Sequence, residues 1–239
     1  MTLLSKHIVA LSFLALALNS ADAQRILDID PVSQASAELS WVSTAEMVFK
    51  YYDVPTTIAG SDYQCGIVAL AAPACKQSCA RCHVDAPSLY YLAGIIRNYP
   101  TLVASVRHVD VGRLNTIIYP YILPVSVLRA DIDAGRPVIA GISPPAQFAP
   151  AGTARQHPVV LIGYESDDDT DPSDPLVLIN DPFPYTPAGQ FPNPYEAVGG
   201  EARAPGQYAI GYRSLRQLLH WTASIRLRCS GEACPDVSP

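Results

Sequence analysis

Residues 34–41 are Gln-Ala-Ser-Ala-Glu-Leu-Ser-Trp, and this stretch with the segment that follows it decides the fold. Apolar residues recur after it at helical spacing, which predicts a helix over residues 39–52. Ser40 lies at the beginning of that helix, and Gln34 precedes it by six residues. A helix N-terminus stabilises negative charge, and a glutamine amide on the preceding loop can donate a hydrogen bond to it. A serine at a helix start is also a common N-cap, and Gln34 also fits an ordinary loop glutamine.

The first 23 residues are typical of a secretory signal peptide. An apolar run covers residues 8–18, and Ala-Asp-Ala at residues 21–23 is a small-x-small cleavage pattern. The run is shorter than the roughly 20 apolar residues that a membrane span needs. We therefore expect a mature chain that starts at Gln24, is secreted or periplasmic, and has no membrane association after cleavage.

Composition narrows the classes of partner and cofactor. The net charge is −6 and no basic run is present, which argues against a nucleic-acid partner. The chain has 22 prolines, which favour long stiffened loops over a helix bundle. Neither a glycine-rich phosphate loop nor a His-Glu-x-x-His motif is present, so we expect no cofactor and no catalytic metal.

The six cysteines predict a disulfide framework, because an even number in an exported chain is typical of paired thiols. Cys229 and Cys234 are expected to pair across a turn that contains Gly231. The other four cysteines allow three connectivities, and the sequence does not choose among them. A zinc site is the alternative for one cluster, which consists of Cys75, Cys79, Cys82 and His83.

The order of predicted elements indicates an α+β fold, with a helical lobe over about residues 24–100 and a β-rich lobe over about residues 101–239. Helices are predicted at 39–52, 65–72, 88–97, 125–133 and 215–220. Strands are predicted at 102–109, 137–142, 158–164, 176–180, 208–212 and 224–228. Two long stretches are predicted to be loops, namely 166–174 and 186–206.

Three motifs in the second half accompany the first stretch. Residues 135–139 are Gly-Arg-Pro-Val-Ile, residues 157–164 are His-Pro-Val-Val-Leu-Ile-Gly-Tyr, and residues 178–182 are Leu-Ile-Asn-Asp-Pro. Together with residues 34–41 they resemble the papain-like cysteine peptidases, in particular a small bacterial branch that includes leader-peptide-processing and secreted effector peptidases. That family has Gln-x5-Cys-Trp where this chain has Gln34 and Ser40-Trp41.

The resemblance implies a role for each of four residues within a single papain-like domain over residues 24–239. Ser40 occupies the nucleophile position, and Gln34 is expected to stabilise the oxyanion. His157 is expected to be the general base, and Asp181 to hold its ring in the working tautomer. Asn180 is the alternative for that last role, because papain itself uses an asparagine. A peptide or protein would lie in the cleft between the lobes.

A serine at position 40 changes the expected chemistry. A cysteine beside a histidine has its pKa lowered from about 8.5 to roughly 3–4, so it is ionised before it attacks. A hydroxyl forms no such ion pair and needs its proton removed during attack. We therefore expect a weak or inactive hydrolase; a pseudopeptidase that binds without cleaving is the alternative, and a partner of active relatives is a third possibility. Cys65 is a further candidate nucleophile, but no partner motif accompanies it.

Overall fold

The computed structural model of the protein describes residues 24–58, 61–77, 84, 88–148, 156–166, 171–183, 185 and 192–234. The predicted signal peptide at residues 1–23 lies outside this part, as do Cys79, Cys82, His83 and portions of both predicted loops. No helix in the described part is long and apolar enough to cross a membrane.

Helices dominate the N-terminal part of the chain, as the sequence predicts. Helix α1 spans Ser40–Tyr51, α2 spans Tyr63–Ala71 and α3 spans Leu89–Arg107. Asp62 caps α2, since its side chain accepts a hydrogen bond from the backbone N–H of Cys65 at 2.9 Å. Three shorter helices follow later in the chain, namely α4 at Val125–Asp133, α5 at Pro194–Ala197 and α6 at Tyr212–Gln217.

The C-terminal part forms an antiparallel sheet in which seven strands follow the order β2-β8-β3-β4-β5-β7-β6. An additional short strand, β1, pairs with the far end of β4 beyond the segment that β3 occupies. The bounds are β1 Gln24–Ile26, β2 Arg113–Tyr119, β3 Val138–Ile142, β4 His157–Glu165, β5 Leu176–Asn180, β6 Glu201–Ala204, β7 Gln207–Gly211 and β8 Ala223–Ser230.

The sheet carries a hydrophobic core on each face. On β3, Val138 and Ala140 belong to one core and Ile139 to the other, as the alternation of strand side chains requires. One core joins the sheet to α1–α3, and the other joins it to α4 and α6. The predicted α+β fold, with N-terminal helices packed on an antiparallel sheet, is therefore confirmed.

One predicted strand is wrong, because residues 102–109 continue α3 to Arg107 instead of forming a strand. Ile96, Tyr99 and Val103 are fully or almost fully buried at helical spacing, and Tyr99 stacks on Phe49 with ring centroids 4.4 Å apart. Pro100 lies inside this helix and removes one backbone hydrogen bond, but the packing on either side sustains the helix. The expected division between lobes near residue 100 thus falls within α3.

The segment at 186–206, predicted to be a loop from its proline and glycine content, contains a helix and a strand. Both α5 and β6 lie within it, and β6 forms an edge of the sheet. Strand β2 was also missed, and α6 lies a few residues earlier than the predicted 215–220. The other predicted strands and α4 are confirmed to within one or two residues.

The expected disulfide between Cys229 and Cys234 is present. Cys65 and Cys75 are also disulfide-bonded, which contradicts a zinc site at Cys75 and leaves Cys65 without a thiol to act as nucleophile. The connectivity of the four remaining cysteines stays open, because Cys79 and Cys82 lie outside the described residues.

Candidate functional site

His157 is the first residue of β4, and its side chain is about nine-tenths buried. Strand β5 runs antiparallel beside β4, so the end of β5 meets the start of β4 at the same edge of the sheet. Asp181 directly follows β5, and its Oδ1 lies 2.6 Å from Nε2 of His157. The sheet topology thus brings together two residues that are far apart in sequence and that the motifs predict to be partners.

The carboxylate of Asp181 is held on both oxygens. Oδ1 also accepts a hydrogen bond from the backbone N–H of Phe183 at 2.7 Å, and Oδ2 accepts one from the hydroxyl of Tyr195 at 2.7 Å. The side chain of Asp181 has no measurable exposure. A buried carboxylate is stable only when it is paired and hydrogen-bonded, and these three donors meet that requirement.

Tyr195 belongs to a group of three tyrosines behind Asp181, and sequence reasoning missed it. Its ring stacks on Tyr208 with centroids 4.3 Å apart, and Tyr185 packs edge-on against both rings. Burial and then the nearby charge of Asp181 raise the pKa of all three phenols well above the ordinary value. Tyr195 therefore remains a neutral hydrogen-bond donor to Asp181.

Asn180 points its amide elsewhere, although it neighbours Asp181. Its Nδ2 donates to the backbone carbonyl of Ile29 at 2.6 Å, and its Oδ1 accepts from Nε2 of Gln207 at 3.1 Å. The side chain is fully buried. Asn180 thus fastens β5 to the segment after β1, and Asp181 is the residue that contacts the imidazole.

Ser40 is the first residue of α1 and is half-buried. The N-cap position belongs to Leu39, so the interpretation of Ser40 as an N-cap is wrong. One turn further, on the same face of the helix, Thr44 donates from Oγ1 to the backbone carbonyl of Pro158 at 3.0 Å. This bond fixes the first two turns of α1 against the start of β4, where His157 lies. Within the described residues, no hydrogen bond joins Ser40 to His157.

The backbone of Gln34 is hydrogen-bonded to the residue that follows Asp181. Its N–H donates to the carbonyl of Pro182 at 2.9 Å. Its side-chain Nε2 donates to the carbonyls of Ser36 and Ala37, each at 2.8 Å. Its Oε1 is buried and has no partner among the described residues. The amide hydrogens are thus engaged by the loop itself, and an oxyanion role for Gln34 stays a prediction that requires the amide to turn.

Gln64 is a second residue that sequence reasoning did not identify. It is buried on α2, where its Oε1 accepts from the N–H of Ala35 and its Nε2 donates to the carbonyl of Ser33, both at 2.9 Å. These two bonds hold the loop that leads to Ser40. The only signal in the sequence is a glutamine within an otherwise apolar helix, beside Cys65.

The described part of the chain contains no cluster of three or more His, Cys, Asp or Glu side chains that could hold a metal ion. The site contains a buried imidazole–carboxylate pair at the start of β4, the strand to which the first turns of α1 are hydrogen-bonded. An imidazole held by a carboxylate in this way can take a proton from a nucleophile.

Comparison with known protein families identifies the family of the chain. No curated protein is significantly similar in sequence. The model of a family described as "Peptidase_C39 like family" matches residues 26–203, a span that contains Gln34, Ser40, His157 and Asp181. That span is roughly three quarters of the chain, from the first strand to the edge of the sheet. The chain therefore belongs to the Peptidase C39-like family, within the clan of papain-like cysteine peptidases.

Proposed function

We propose that this protein is a papain-like hydrolase of peptide or amide bonds whose cysteine nucleophile has been replaced by Ser40, which makes it weak or inactive. The observation that carries the proposal is the buried pair of His157 and Asp181, 2.6 Å apart, at the start of the strand to which α1 is fastened. A family of peptidases implies peptide or protein substrates, so we propose that the ligand is a peptide or a protein segment.

The replacement weakens the reaction for two physical reasons. His157 must remove the hydroxyl proton of Ser40 during attack, because a serine is not ionised beforehand. Oxygen is also smaller than sulfur, and a misplacement of about 1 Å at the reacting atom can cost roughly 100-fold in rate. Residual turnover, if the hydroxyl reacts at all, depends on His157.

A second candidate is a pseudopeptidase that binds a peptide or protein without cleaving it. Two observations favour it, namely the absence of a hydrogen bond between Ser40 and His157 in the described residues and the amide of Gln34 turned towards its own loop. Neither the attacking hydroxyl nor the oxyanion donor is then in its working position. Apo sites often tighten when substrate binds, so an assay with peptide present separates the two candidates.

We also propose that the protein works in an oxidising compartment, secreted or periplasmic. The signal-like segment at residues 1–23 supports this, and so do the disulfide-bonded cysteines, because disulfides persist outside the reducing cytosol. Expression of the full chain with a tag, followed by fractionation of cells and medium, tests this location.

The test of function compares the native mature protein with Ser40→Cys and Ser40→Ala against a peptide library. The hydrolase predicts slow turnover by the native protein, lost in Ser40→Ala and raised in Ser40→Cys. The pseudopeptidase predicts no turnover by the native protein, with peptide binding that Ser40→Ala retains. If the native protein and Ser40→Cys neither bind nor cleave any peptide, both candidates are wrong.

A further inference from the structure

A cavity of about 300 Å³ lies at the opposite end of α1 from Ser40. This open cavity is lined by Tyr52 at the end of α1, by Gly135 and Arg136 on the turn before β3, and by the end of β8. Helix α1 has 12 residues, so at about 1.5 Å per residue the cavity is roughly 18 Å along the helix axis from the candidate active site. The cavity is thus a separate feature of the molecule.

Two arginines, Arg136 and Arg228, line this cavity. Arg136 and Arg226 share one carboxylate, that of Asp131, which is almost fully buried. Arg228 follows Arg226 by two residues on β8, so it projects from the same face of the strand, and it has no ion-pair partner among the described residues. None of the residues that line the cavity is acidic. Such a site attracts a negatively charged ligand.

Two of the side chains that line the cavity have hydrogen-bond donors without a protein acceptor among the described residues. Arg136 uses Nε and Nη2 on Asp131 and on the carbonyl of Ala130, and its Nη1 has no partner within the described part of the chain. Tyr52 lines the cavity, is only 1% exposed, and its hydroxyl is an orphaned buried group among the described residues. Burial raises the pKa of Tyr52, so the phenol keeps its proton and can donate it.

The walls of the cavity are held firmly. The hydroxyl of the neighbouring Tyr51 donates to the carbonyl of Gly135 at 2.8 Å, which ties α1 to the turn. On the other side, the disulfide between Cys229 and Cys234 lines the cavity and fixes the end of β8. Donors held in place lose little conformational freedom when they bind a ligand, which favours recognition.

We propose that this cavity binds a small oxyanion of the phosphate type, held by Arg136, Arg228 and the hydroxyl of Tyr52. A tetrahedral oxyanion accepts hydrogen bonds in several directions, and guanidinium groups match its geometry. The proposal does not depend on the proposed function, because the cavity shares no residue with the candidate active site.

The test measures binding of inorganic phosphate to the mature protein by calorimetry, with sodium chloride added to hold the ionic strength constant. We expect saturable binding by the native protein. Arg228→Gln should weaken it by about tenfold, the effect typical of losing a charge-assisted hydrogen bond. The matched control is Arg216→Gln, which removes an exposed arginine on α6, beyond the other end of β8, and should bind as the native protein does.

Tyr52→Phe separates a ligand contact from a structural role. It removes a hydroxyl that has no described protein partner, so the melting temperature without phosphate should not fall. The rise in melting temperature on adding phosphate should shrink. The proposal is overturned if the native protein shows no saturable binding, if Arg228→Gln and Tyr52→Phe bind phosphate like the native protein, or if Arg216→Gln weakens binding as much as Arg228→Gln.

Discussion

Replacing Tyr195 by phenylalanine should destabilise the protein through Asp181. The change removes one hydroxyl and nothing else from a fully buried ring that stacks on Tyr208. It leaves Oδ2 of Asp181 without its donor at 2.7 Å, in a site with no exposed side-chain surface. An unsatisfied buried partner of a charged hydrogen bond costs about 2 kcal/mol. For a chain of this size that loss lowers the melting temperature by about 4–8 °C.

The measurement is thermal and urea unfolding of native protein, Tyr195→Phe and the control Tyr90→Phe. Tyr90 is 62% exposed on α3, so its hydroxyl is hydrated and its removal should change the free energy of unfolding by less than about 0.5 kcal/mol. NMR of the imidazole gives an independent readout, because loosening of Asp181 should alter the signals of His157 and not those of the exposed His108. If Tyr195→Phe is as stable as Tyr90→Phe, the hydrogen bond does not hold Asp181 in place.

Three further predictions concern stability. Gly163→Ala should destabilise the protein by at least about 1 kcal/mol, because an added Cβ would lie 2.6 Å from the carbonyl oxygen of Arg25. Gly94→Ala, which has open space around it on α3, should stabilise the protein by roughly 0.5–1 kcal/mol. Urea unfolding of both variants measures the two changes. Asp131→Asn should cost about 3–5 kcal/mol, since it leaves two guanidinium groups without their buried carboxylate. Asp171→Asn, at an exposed pair, should leave the free energy of unfolding almost unchanged. Burial and the hydrogen bond to Asp133 raise the pKa of Tyr164 to about 12, above that of an unfolded tyrosine. Its contribution to stability should therefore be complete below about pH 10 and be lost as the pH rises towards 12. A smaller loss of stability at alkaline pH in Tyr164→Phe than in the native protein checks the sign.

The parts of the site that could be predicted from the sequence are those whose residues lie in local motifs. His157 begins one short apolar strand and Asp181 follows another, and antiparallel pairing of those strands is enough to bring the two residues together. The sequence predicts Asp181 as the partner of His157 and leaves Asn180 as the alternative. The structure separates the two, because the Asp181 carboxylate contacts the imidazole whereas the Asn180 amide bonds to Ile29 and Gln207.

Other features depend on tertiary contacts that local patterns do not contain. Pro100 predicts a helix end, but α3 continues beyond it because Tyr99 and Val103 are buried on the same side of the helix. Tyr195 lies in a segment rich in proline and glycine, and its hydrogen bond to Asp181 and stacking on Tyr208 are tertiary contacts that no local pattern predicts. The direction of the Gln34 amide is set by carbonyls of its own loop, which no sequence pattern encodes.

The most direct test of the central claim, that His157 and Asp181 form an active-site pair facing the N-terminus of α1, is the reactivity of a thiol placed at position 40. None of the described cysteines of the native protein is free, so the native protein serves as the blank. The rate of alkylation of Ser40→Cys by iodoacetamide is measured against pH, alone and combined with His157→Ala. We predict a thiolate that persists far below the ordinary thiol pKa of about 8.5 and that His157→Ala largely abolishes. An alkylation profile centred near pH 8.5 and unchanged by His157→Ala would contradict the account.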